Sequence, residues 1–254
     1  MIDRTLPYFA TPLPRVIAHR GLSLDAPENT LLAFAHALAL DVTHVETDVH
    51  VSADGVAMIA HDATLHRVAG RAQRIDELTA RELAKIDLGD DQYMPTLAEA
   101  LDTFTDARFN IDVKTLAVVE PAVEAIRAAA AEDRVLITSF SESRRRRALA
   151  LLPTVATSAS GPRFAAALLA SVIRGGPAVR AALRGLHAVQ IPERAMGLTT
   201  VTPARIRAFH AAGVEVHVWT INDEADMRRL LALGVDGIVT DRADIAMAVI
   251  ASLR

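Results

Sequence analysis

The 254-residue sequence contains no cysteine, which excludes disulfide bonds and metal sites built on thiolates. Aromatic residues make up only 4% of the chain, so a core must be built mainly from aliphatic side chains. The hydrophobic fraction of 51% supplies enough of them for one large core. Lysine is scarce as well, since it occurs only at Lys85 and Lys114.

Long hydrophobic runs are also absent. The longest largely apolar run, Phe164–Ile173, is too short to cross a bilayer and lies between Arg163 and Arg174. Residues 1–15 carry charges and prolines but no apolar signal core, which predicts a cytoplasmic protein without a transmembrane segment. The formal net charge of −4 gives no general attraction to nucleic acid or anionic lipid, so an anionic substrate requires a local cluster of cations.

Short β-branched runs alternate with longer Ala/Leu-rich segments, and this alternation predicts parallel βα units. The predicted strands are Val16–His19, His44–Val51, Arg108–Lys114, Val135–Thr138, Thr154–Thr157, His187–Ile191, Glu215–Thr220 and Gly237–Thr240. The predicted helices are Thr30–Leu40, Thr96–Thr105, Glu120–Ala131, Ser143–Leu151, Phe164–Leu183, Pro203–Ala212, Glu224–Leu233 and Asp244–Leu253.

The first strand distinguishes between the two folds that share this alternation. A doubly wound open sheet usually has a glycine-rich phosphate loop after its first strand, whereas here the strand leads into His19-Arg20-Gly21. The pattern therefore favours an α/β protein with a (β/α)8 TIM barrel, as a single domain over residues 1–254.

One segment interrupts the alternation after the second strand. Ala53-Asp54-Gly55 predicts a tight turn, and Val56–Ala60 then forms the second strand of a hairpin. The insertion at about 61–94 precedes the next helix. Because loops after barrel strands lie over the C-terminal face, where active sites form, we expect this insertion to be a lid or substrate-binding cap.

Polar side chains lie at the predicted ends of the first three strands. They are His19 and Arg20 on the first, Glu46 and Asp48 on the second, Asp112 and Lys114 on the third, and His61 after the hairpin. Each has an ordinary interpretation when taken alone: a hydrogen-bonded histidine, a solvated strand face, an ion pair. Gathering so many charged groups is costly unless they pair or bind a ligand, so their convergence predicts a functional site.

These residue types indicate phosphoryl chemistry. Three carboxylates without a thiolate ligand predict a hard divalent cation, Mg²⁺ or Ca²⁺. Arg20 and Lys114 beside that cation can hold a phosphate, because they neutralise the charge that grows on its oxygens during displacement. His19 and His61 suit a general base and a general acid, since imidazole titrates near neutral pH.

The sequence resembles the glycerophosphodiester phosphodiesterase family. The resemblance covers roughly residues 15–245, and segment 61–94 is similar to the family's own insertion. The matching segments, in family order, are Ala18-His19-Arg20-Gly21, Pro27-Glu28-Asn29-Thr30, Glu46-Thr47-Asp48-Val49, His61-Asp62, Pro95-Thr96-Leu97-Ala98-Glu99-Ala100-Leu101, Asp112-Val113-Lys114 and Val218-Trp219-Thr220. The resemblance implies a TIM-barrel enzyme that hydrolyses small-molecule glycerophosphodiesters to an alcohol and sn-glycerol 3-phosphate.

The resemblance also implies residue roles. They are metal ligands at Glu46, Asp48 and Asp112 for one Mg²⁺ or Ca²⁺, an acid/base pair at His19 and His61, substrate contacts from Arg20, Lys114 and Trp219, and supporting contacts from Glu28 and Asn29. The alternative for Trp219 is a core position. Gln190 and Asn222 are weaker candidates near other strand ends, and His217 is expected inside the barrel.

The chain departs from the family at Asp112, where many members have glutamate. Aspartate is one methylene shorter, so its oxygen falls short by about 1.2 to 1.5 Å unless the backbone adjusts. We expect looser binding of the cation, or coordination through water. The family favours attack by the glycerol 2-hydroxyl of the substrate over direct attack by water.

Three other functions are considered. Sphingomyelinase D barrels are similar around the histidines but are secreted, rely on disulfides and have a reduced insertion. A lysophospholipase D activity fits better. Its candidate lipid contact is the stretch Arg163–Leu186, but the preferred interpretation of that stretch is a helix packed on the barrel. A non-catalytic barrel that binds phosphate esters is expected to have lost a histidine or a carboxylate.

The run Arg144–Arg147 is interpreted as a solvated helix face, not as a nucleic-acid site.

Overall fold

The computed structural model describes residues 6–173 and 175–253. The start of the predicted N-terminal segment and Arg174, the boundary of the apolar run, lie outside the described residues. The strands are β1 (Arg15–His19), β2 (His44–Val51), β3 (Ala57–Ile59), β4 (Arg108–Val113), β5 (Val135–Thr138), β6 (Ala156–Thr157), β7 (Ala188–Ile191), β8 (Arg194–Ala195), β9 (Leu198–Thr199), β10 (Glu215–Val218) and β11 (Gly237–Thr240).

Helices follow the barrel strands on the outside. They are α1 (Leu31–Leu38), α2 (His66–Ala69), α3 (Ala80–Leu83), α4 (Leu97–Thr103), α5 (Val119–Ala128), α6 (Glu142–Leu151), α7 (Gly161–Ile173), α8 (Gly176–Leu183), α9 (Pro203–Ala211), α10 (Glu224–Ala232) and α11 (Ala243–Ala251). Short 3-10 helices span Pro7–Phe9, Ile75–Glu77 and Glu132–Arg134.

Eight parallel strands of the described residues form the barrel, in the order β6-β5-β4-β2-β1-β11-β10-β7. A parallel bridge between Ser158 and Ala188 joins β6 to β7 and closes the ring. Chain order and spatial order therefore agree, as expected for a barrel and not for a doubly wound sheet. The predicted (β/α)8 fold is confirmed, whereas the single domain over residues 1–254 stays a prediction.

The alternation along β2 explains how the barrel positions charged groups. Val45 and Val49 pack in the hydrophobic layer between the strands and the helices, together with Phe34 of α1. The intervening residues Glu46 and Asp48 therefore point to the opposite side, into the barrel, because successive side chains alternate across a strand.

The N-terminal end of the barrel is filled and closed. Tyr8 and Phe9 are buried against aliphatic side chains of β5, β6 and β7. Arg15 of β1 donates to Glu215 of β10 at 2.8 Å, and both side chains are fully buried. His217 is buried beside this pair, with Nε2 3.1 Å from Glu215 Oε2, so its predicted place inside the barrel is confirmed.

One predicted helix is wrong. The segment Phe164–Leu183 forms two helices, α7 and α8, which pack against each other as a hairpin. Gly175 breaks the helix with a φ of +73°, a value that a side chain disfavours, and Pro177 stands in the first turn of α8. The sequence Gly175-Gly176-Pro177 carries this signal.

The insertion has its own small core. Leu65, Ile75 and Leu83 pack against Met58 of β3 and against Met94. Within residues 61–94, all of which the structure describes, His61 is the one residue that lines the large cavity described below. The expectation of a lid or cap is therefore wrong, because the insertion lies beside the cavity and presents His61 to it.

Among the described residues, we find no helix with the length and apolar character that crossing a bilayer requires. The cytoplasmic location stays a prediction.

Candidate active site

A cavity of about 380 Å³ opens at the C-terminal ends of the barrel strands. The structure brings eight of the predicted site residues to its wall: His19, Arg20, Glu46, Asp48, His61, Asp112, Lys114 and Trp219. They come from β1, β2, β4, the turn after β3 and the end of β10, which the barrel gathers at one face. Their chemical roles stay predictions.

His19 is held by a carboxylate from the last barrel strand. Its Nδ1 lies 2.6 Å from Oδ1 of Asp241, and its Nε2 lies 3.9 Å from Oε2 of Glu46. Burial alone lowers the pKa of His19, but the hydrogen bond to Asp241 and the charge of Glu46 outweigh it and raise that pKa. The bond through Nδ1 leaves Nε2 as the nitrogen that can exchange a proton with a substrate.

His61 is held in the same way. Its Nδ1 lies 2.8 Å from Oδ1 of Asp62, and Arg67 donates to the other oxygen of that carboxylate at 2.6 Å. His50 of β2 supports the turn, since its Nε2 lies 3.2 Å from the carbonyl oxygen of His61. Both histidines therefore have Nδ1 on an aspartate, an arrangement that fixes the ring and leaves Nε2 for chemistry.

Three carboxylates line the same cavity as the two histidines. Glu46, Asp48 and Asp112 are nearly buried. Burial, followed by the neighbouring charge of Asp48, raises the pKa of Glu46 well above its usual range. Burial likewise raises the pKa of Asp112. The wall therefore carries more negative charge than its own groups stabilise.

Lys114 neutralises part of this charge. Its Nζ lies 2.7 Å from Asp48 Oδ1 and 2.7 Å from Asp112 Oδ2. Burial by itself lowers the pKa of Lys114, but these two carboxylates raise it. Asp112 and Lys114 thus form the ion pair that the sequence allows. The other oxygen of Asp112, Oδ1, is buried and has no hydrogen-bond partner in the described part of the chain.

Arg20 follows β1 in a left-handed backbone conformation with a φ of +58°. Its Nη1 donates to Oε1 of Glu28 at 3.0 Å, and its Nε lies 3.4 Å from Asp48 Oδ2. Gly21 is required next to it, because a Cβ there would lie 2.6 Å from the backbone carbon of Ala33. The close packing of α1 on this turn explains the sequence His19-Arg20-Gly21.

Glu28 and Asn29 lie behind the cavity wall. Asn29 donates from Nδ2 to Asp48 Oδ2 at 3.3 Å and accepts from Thr47 Oγ1 at 2.9 Å. Glu28 joins the two halves of the site, since it accepts from Arg20 and, at 2.7 Å, from Arg67. These contacts are those of supporting residues, which is the role that the resemblance implies.

Trp219 stands at the apolar side of the cavity. It is half-buried and meets Phe140 edge to face, with ring centroids 6.1 Å apart. The alternative of a core tryptophan is therefore wrong. Gln190 also lines the cavity, where its Oε1 accepts from Ser158 Oγ at 3.2 Å. Asn222 supports Asp241 by donating to its Oδ2 at 2.8 Å.

Sequence reasoning missed three residues of the site: Asp241, Arg67 and Phe140. Asp241 directly follows β11, so the rule that polar residues gather at strand ends could have found it. Arg67 and Phe140 carry no comparable signal, because an exposed arginine and a loop phenylalanine are common in any sequence.

The interpretation of the run Arg144–Arg147 is wrong for two of its members. Arg145 is buried and donates to both oxygens of Glu142 at 2.8 Å. Arg144 donates to the carbonyl oxygen of Lys114 and to Ser139 Oγ, so it fixes the backbone that carries Lys114. Arg146 and Arg147 are solvated, as expected.

The Asp241–His19 contact predicts a pH effect. Replacing Asp241 by asparagine removes a negative charge and a hydrogen bond that raise the pKa of His19, so that pKa falls. Whether His19 acts as base or acid, the limb of the pH–kcat profile that it governs moves to lower pH. We expect kcat at its optimum to fall about 10- to 100-fold, because the ring loses its orientation.

The matched control is Asp244→Asn. Asp244 accepts from Arg242 at the surface and makes no contact with His19 among the described residues. An unchanged profile in Asp241→Asn, measured as kcat across the pH range, contradicts the positioning role of Asp241.

Comparison with known proteins now assigns the family. The model of the glycerophosphoryl diester phosphodiesterase family matches residues 19–245. The chain belongs to this family. The match runs from the first histidine of the cavity to beyond Asp241, so it includes every barrel strand after β1. The predicted resemblance and the prediction of a phosphodiesterase are confirmed.

Individual relatives agree with this family. The probable glycerophosphodiester phosphodiesterase 2 of Mycobacterium tuberculosis is 44% identical over 231 residues, which are 90% of this chain and 88% of that protein. A glycerophosphodiester phosphodiesterase of Caldanaerobacter subterraneus is 30% identical over 240 residues, which cover 89% of this chain and 93% of that protein. A phosphodiesterase of Oleispira antarctica, solved with the product sn-glycerol-3-phosphate, is 26% identical, covers 94% of this chain and 97% of its own, and has a TM-score of 0.79.

Proposed function

We propose that this phosphodiesterase hydrolyses glycerophosphodiesters to an alcohol and sn-glycerol 3-phosphate with the help of one divalent cation. The observation that carries the proposal is the pair of histidines in one cavity, each with Nδ1 on an aspartate, together with three carboxylates that line the same cavity. The names of the relatives, and the product bound to the Oleispira antarctica enzyme, support the same substrate class.

The two histidines divide the proton transfers. One removes a proton from the attacking hydroxyl through Nε2, and the other gives a proton to the departing alkoxide through its own Nε2. Asp241 and Asp62 stabilise the imidazolium that forms, because each carboxylate lies within hydrogen-bond distance of Nδ1. The histidine that acts as base gains a positive charge and the one that acts as acid starts with it, so the imidazolium form of each lies beside a carboxylate.

The donor set fits a hard divalent cation. Glu46, Asp48 and Asp112 offer oxygen ligands only, and Asp112 Oδ1 is a buried oxygen without a hydrogen-bond partner among the described residues. Across residues 6–173 and 175–253, no three His, Asp or Glu side chains already surround one point as a metal requires. The reason is Lys114, which draws Asp48 and Asp112 towards its ammonium group. A bound cation would supply Lewis-acid polarisation of the phosphate. The proposal assigns this cation as either Mg²⁺ or Ca²⁺.

Lys114 and Arg20 bind the phosphate. Lys114 has two anionic partners, so a cation among the carboxylates leaves its ammonium group available for a phosphate oxygen. Arg20 is fixed on one side by Glu28, which orients the guanidinium towards the carboxylate wall. Both cations neutralise charge on the equatorial oxygens as the displacement proceeds. The edge formed by Trp219 and Phe140 then contacts the glycerol carbons.

The experiment compares substrates directly. Release of the head-group alcohol is measured from glycerophosphocholine, from glycerophosphoethanolamine and from monomeric lysophosphatidylcholine, with Mg²⁺, with Ca²⁺ and with a chelator, and sn-glycerol 3-phosphate is measured as the second product of the two glycerophosphodiesters. We expect metal-dependent release, with a higher kcat/KM for the two glycerophosphodiesters. A higher kcat/KM for the lysophospholipid assigns a lysophospholipase D instead. Tight binding of glycerol phosphate without turnover of any substrate assigns a non-catalytic barrel and contradicts the proposal.

A further inference from the structure

Helix α7 presents an apolar face to solvent. Its inner side packs on the protein through Ala167, Leu168 and Ala170. The exposed residues of α7 are Pro162, Ala166, Leu169, Val172 and Ile173. Because each of them lies about one helical turn from another, they share one face of the helix. Leu169 is 57% exposed and Ile173 is 66% exposed. A surface helix normally presents polar residues on this side, so the face indicates a binding surface.

The apolar face of α7 is continuous with the mouth of the cavity. Gly161 and Phe164, at the start of α7, line the cavity. So does Ala195 in the β8–β9 hairpin, and the next residue, Met196, is 73% exposed. Apolar side chains therefore extend from the cavity wall along two neighbouring protrusions.

Arg205 ties these two protrusions together. It donates from Nε to Ser171 Oγ of α7 at 3.2 Å and from Nη1 to the carbonyl oxygen of Thr199 in β9. Val172 and Leu198 stand next to those two residues in the chain and are both exposed. We call the exposed apolar residues of α7 and of the β8–β9 hairpin the apolar rim.

The stretch of chain that forms α7 and α8 lacks acidic residues. The sequence has no Asp or Glu between Glu142 and Glu193, although the chain as a whole has a net charge of −4. The same stretch contains arginines on α6, α7 and α8. Arg180 of α8, Arg184 directly after α8, and Arg194 of β8 are exposed. Exposed arginines therefore stand on α8, which packs against α7, and in the β8–β9 hairpin.

Apolar side chains flanked by arginines match the surface of a membrane that contains anionic lipid. The apolar groups enter the boundary between headgroups and acyl chains, and each arginine beside them meets a negative headgroup. Helix α7 has 13 residues, a length that suits lying in this boundary and not crossing it. A second copy of the chain fits worse, because residues 143–192 of that copy contain no Asp or Glu that could meet these arginines in a symmetric contact.

We propose that the apolar rim, together with Arg180, Arg184 and Arg194, binds the surface of an anionic phospholipid bilayer. Binding there turns the mouth of the cavity towards the bilayer, since Phe164 and Ala195 line the cavity and lie on the same helix and hairpin as the apolar rim. The proposal goes beyond the proposed activity and does not depend on it.

Vesicle flotation tests the proposal. We expect the protein to float with vesicles of equal parts phosphatidylcholine and phosphatidylglycerol, and not with vesicles of phosphatidylcholine alone. The double variant Leu169→Ser/Ile173→Ser and the double variant Arg180→Glu/Arg184→Glu should each bind at least about tenfold less protein to anionic vesicles. High salt should likewise reduce binding of the wild type to anionic vesicles.

Leu253→Ser is the matched control, because Leu253 is also 57% exposed but lies beyond α11, away from α7 in the chain. It should bind like the wild type. None of the substituted residues lines the cavity, so turnover of soluble glycerophosphocholine should be the same in all variants. That assay separates a failure of bilayer binding from a failure of the proposed activity.

Two kinds of result, from flotation and from sedimentation, overturn the proposal. One is equal flotation of the wild type and the Leu169→Ser/Ile173→Ser variant, or no flotation of either. The other is self-association of the wild type in sedimentation velocity that the same variant abolishes, which assigns the apolar rim to a second copy of the chain.

Discussion

Replacement of His61 by alanine is expected to lower kcat by roughly 10²- to 10⁴-fold, and replacement of His19 to have an effect of the same size. Each histidine lines the cavity and is fixed through Nδ1 by an aspartate, which leaves Nε2 for the proton exchange that the proposed mechanism requires. Loss of either one removes a proton transfer that the other cannot supply from its own position.

The fold should survive both substitutions. The side chains of His19 and His61 are partly exposed at the cavity, so truncation leaves no closed void in the core. Thermal unfolding should therefore change little while kcat falls. His66→Ala is the matched control, since His66 is exposed on α2 of the same insertion and does not line the cavity. Near-normal kcat in either His19→Ala or His61→Ala removes that residue from the mechanism.

Removal of divalent cations is expected to lower the rate by about 100-fold or more, and addition of Mg²⁺ or Ca²⁺ to restore it. The physical reason is the charge on the cavity wall. Burial and mutual repulsion raise the pKa values of Glu46 and Asp112, because Lys114 reaches only Asp48 and Asp112 and leaves the cluster short of positive charge. A cation relieves this repulsion, so it should bind where the carboxylates meet.

Calorimetric titration with Mg²⁺ and Ca²⁺ measures this site without reference to turnover. Asp112→Asn should weaken binding of the cation at least about tenfold, because it removes one charged ligand. Asp112→Glu should strengthen it, since the longer side chain reaches about 1.2 to 1.5 Å further. Asp102→Asn is the control, as Asp102 is an exposed carboxylate on α4. Equal affinity of all four proteins contradicts the assignment of Asp112 as a ligand.

Much of this fold could be predicted from the sequence, because each barrel strand carries its own local signal. The alternation of valine with polar residues in β2 predicts that Glu46 and Asp48 share a side, and the structure places both at the cavity. The same argument applies to Asp112 and Lys114 at the end of β4. Since the barrel brings the C-terminal ends of all its strands to one face, the convergence of strand-end residues can be predicted from the sequence without any measured distance.

The remaining features depend on side-chain contacts that form only in the folded chain. Asp241 and His19 are 222 residues apart, so no spacing rule connects them. The burial of Arg145 depends on Glu142 lying one turn earlier in the folded helix and on Thr157 of β6. The insertion packs through its own small core, which decides that it lies beside the cavity and does not cover it. Composition alone could not distinguish these outcomes.

The most direct test of the central claim is phosphorus NMR of glycerophosphocholine incubated with the wild type, with a chelated sample, and with the double variant His19→Ala/His61→Ala. We predict that the wild type with Mg²⁺ or Ca²⁺ converts the diester signal into that of sn-glycerol 3-phosphate. The chelated sample and the double variant should leave the diester intact over the same time. An unchanged diester with the wild type and every cation, or equal conversion by the double variant, contradicts the account.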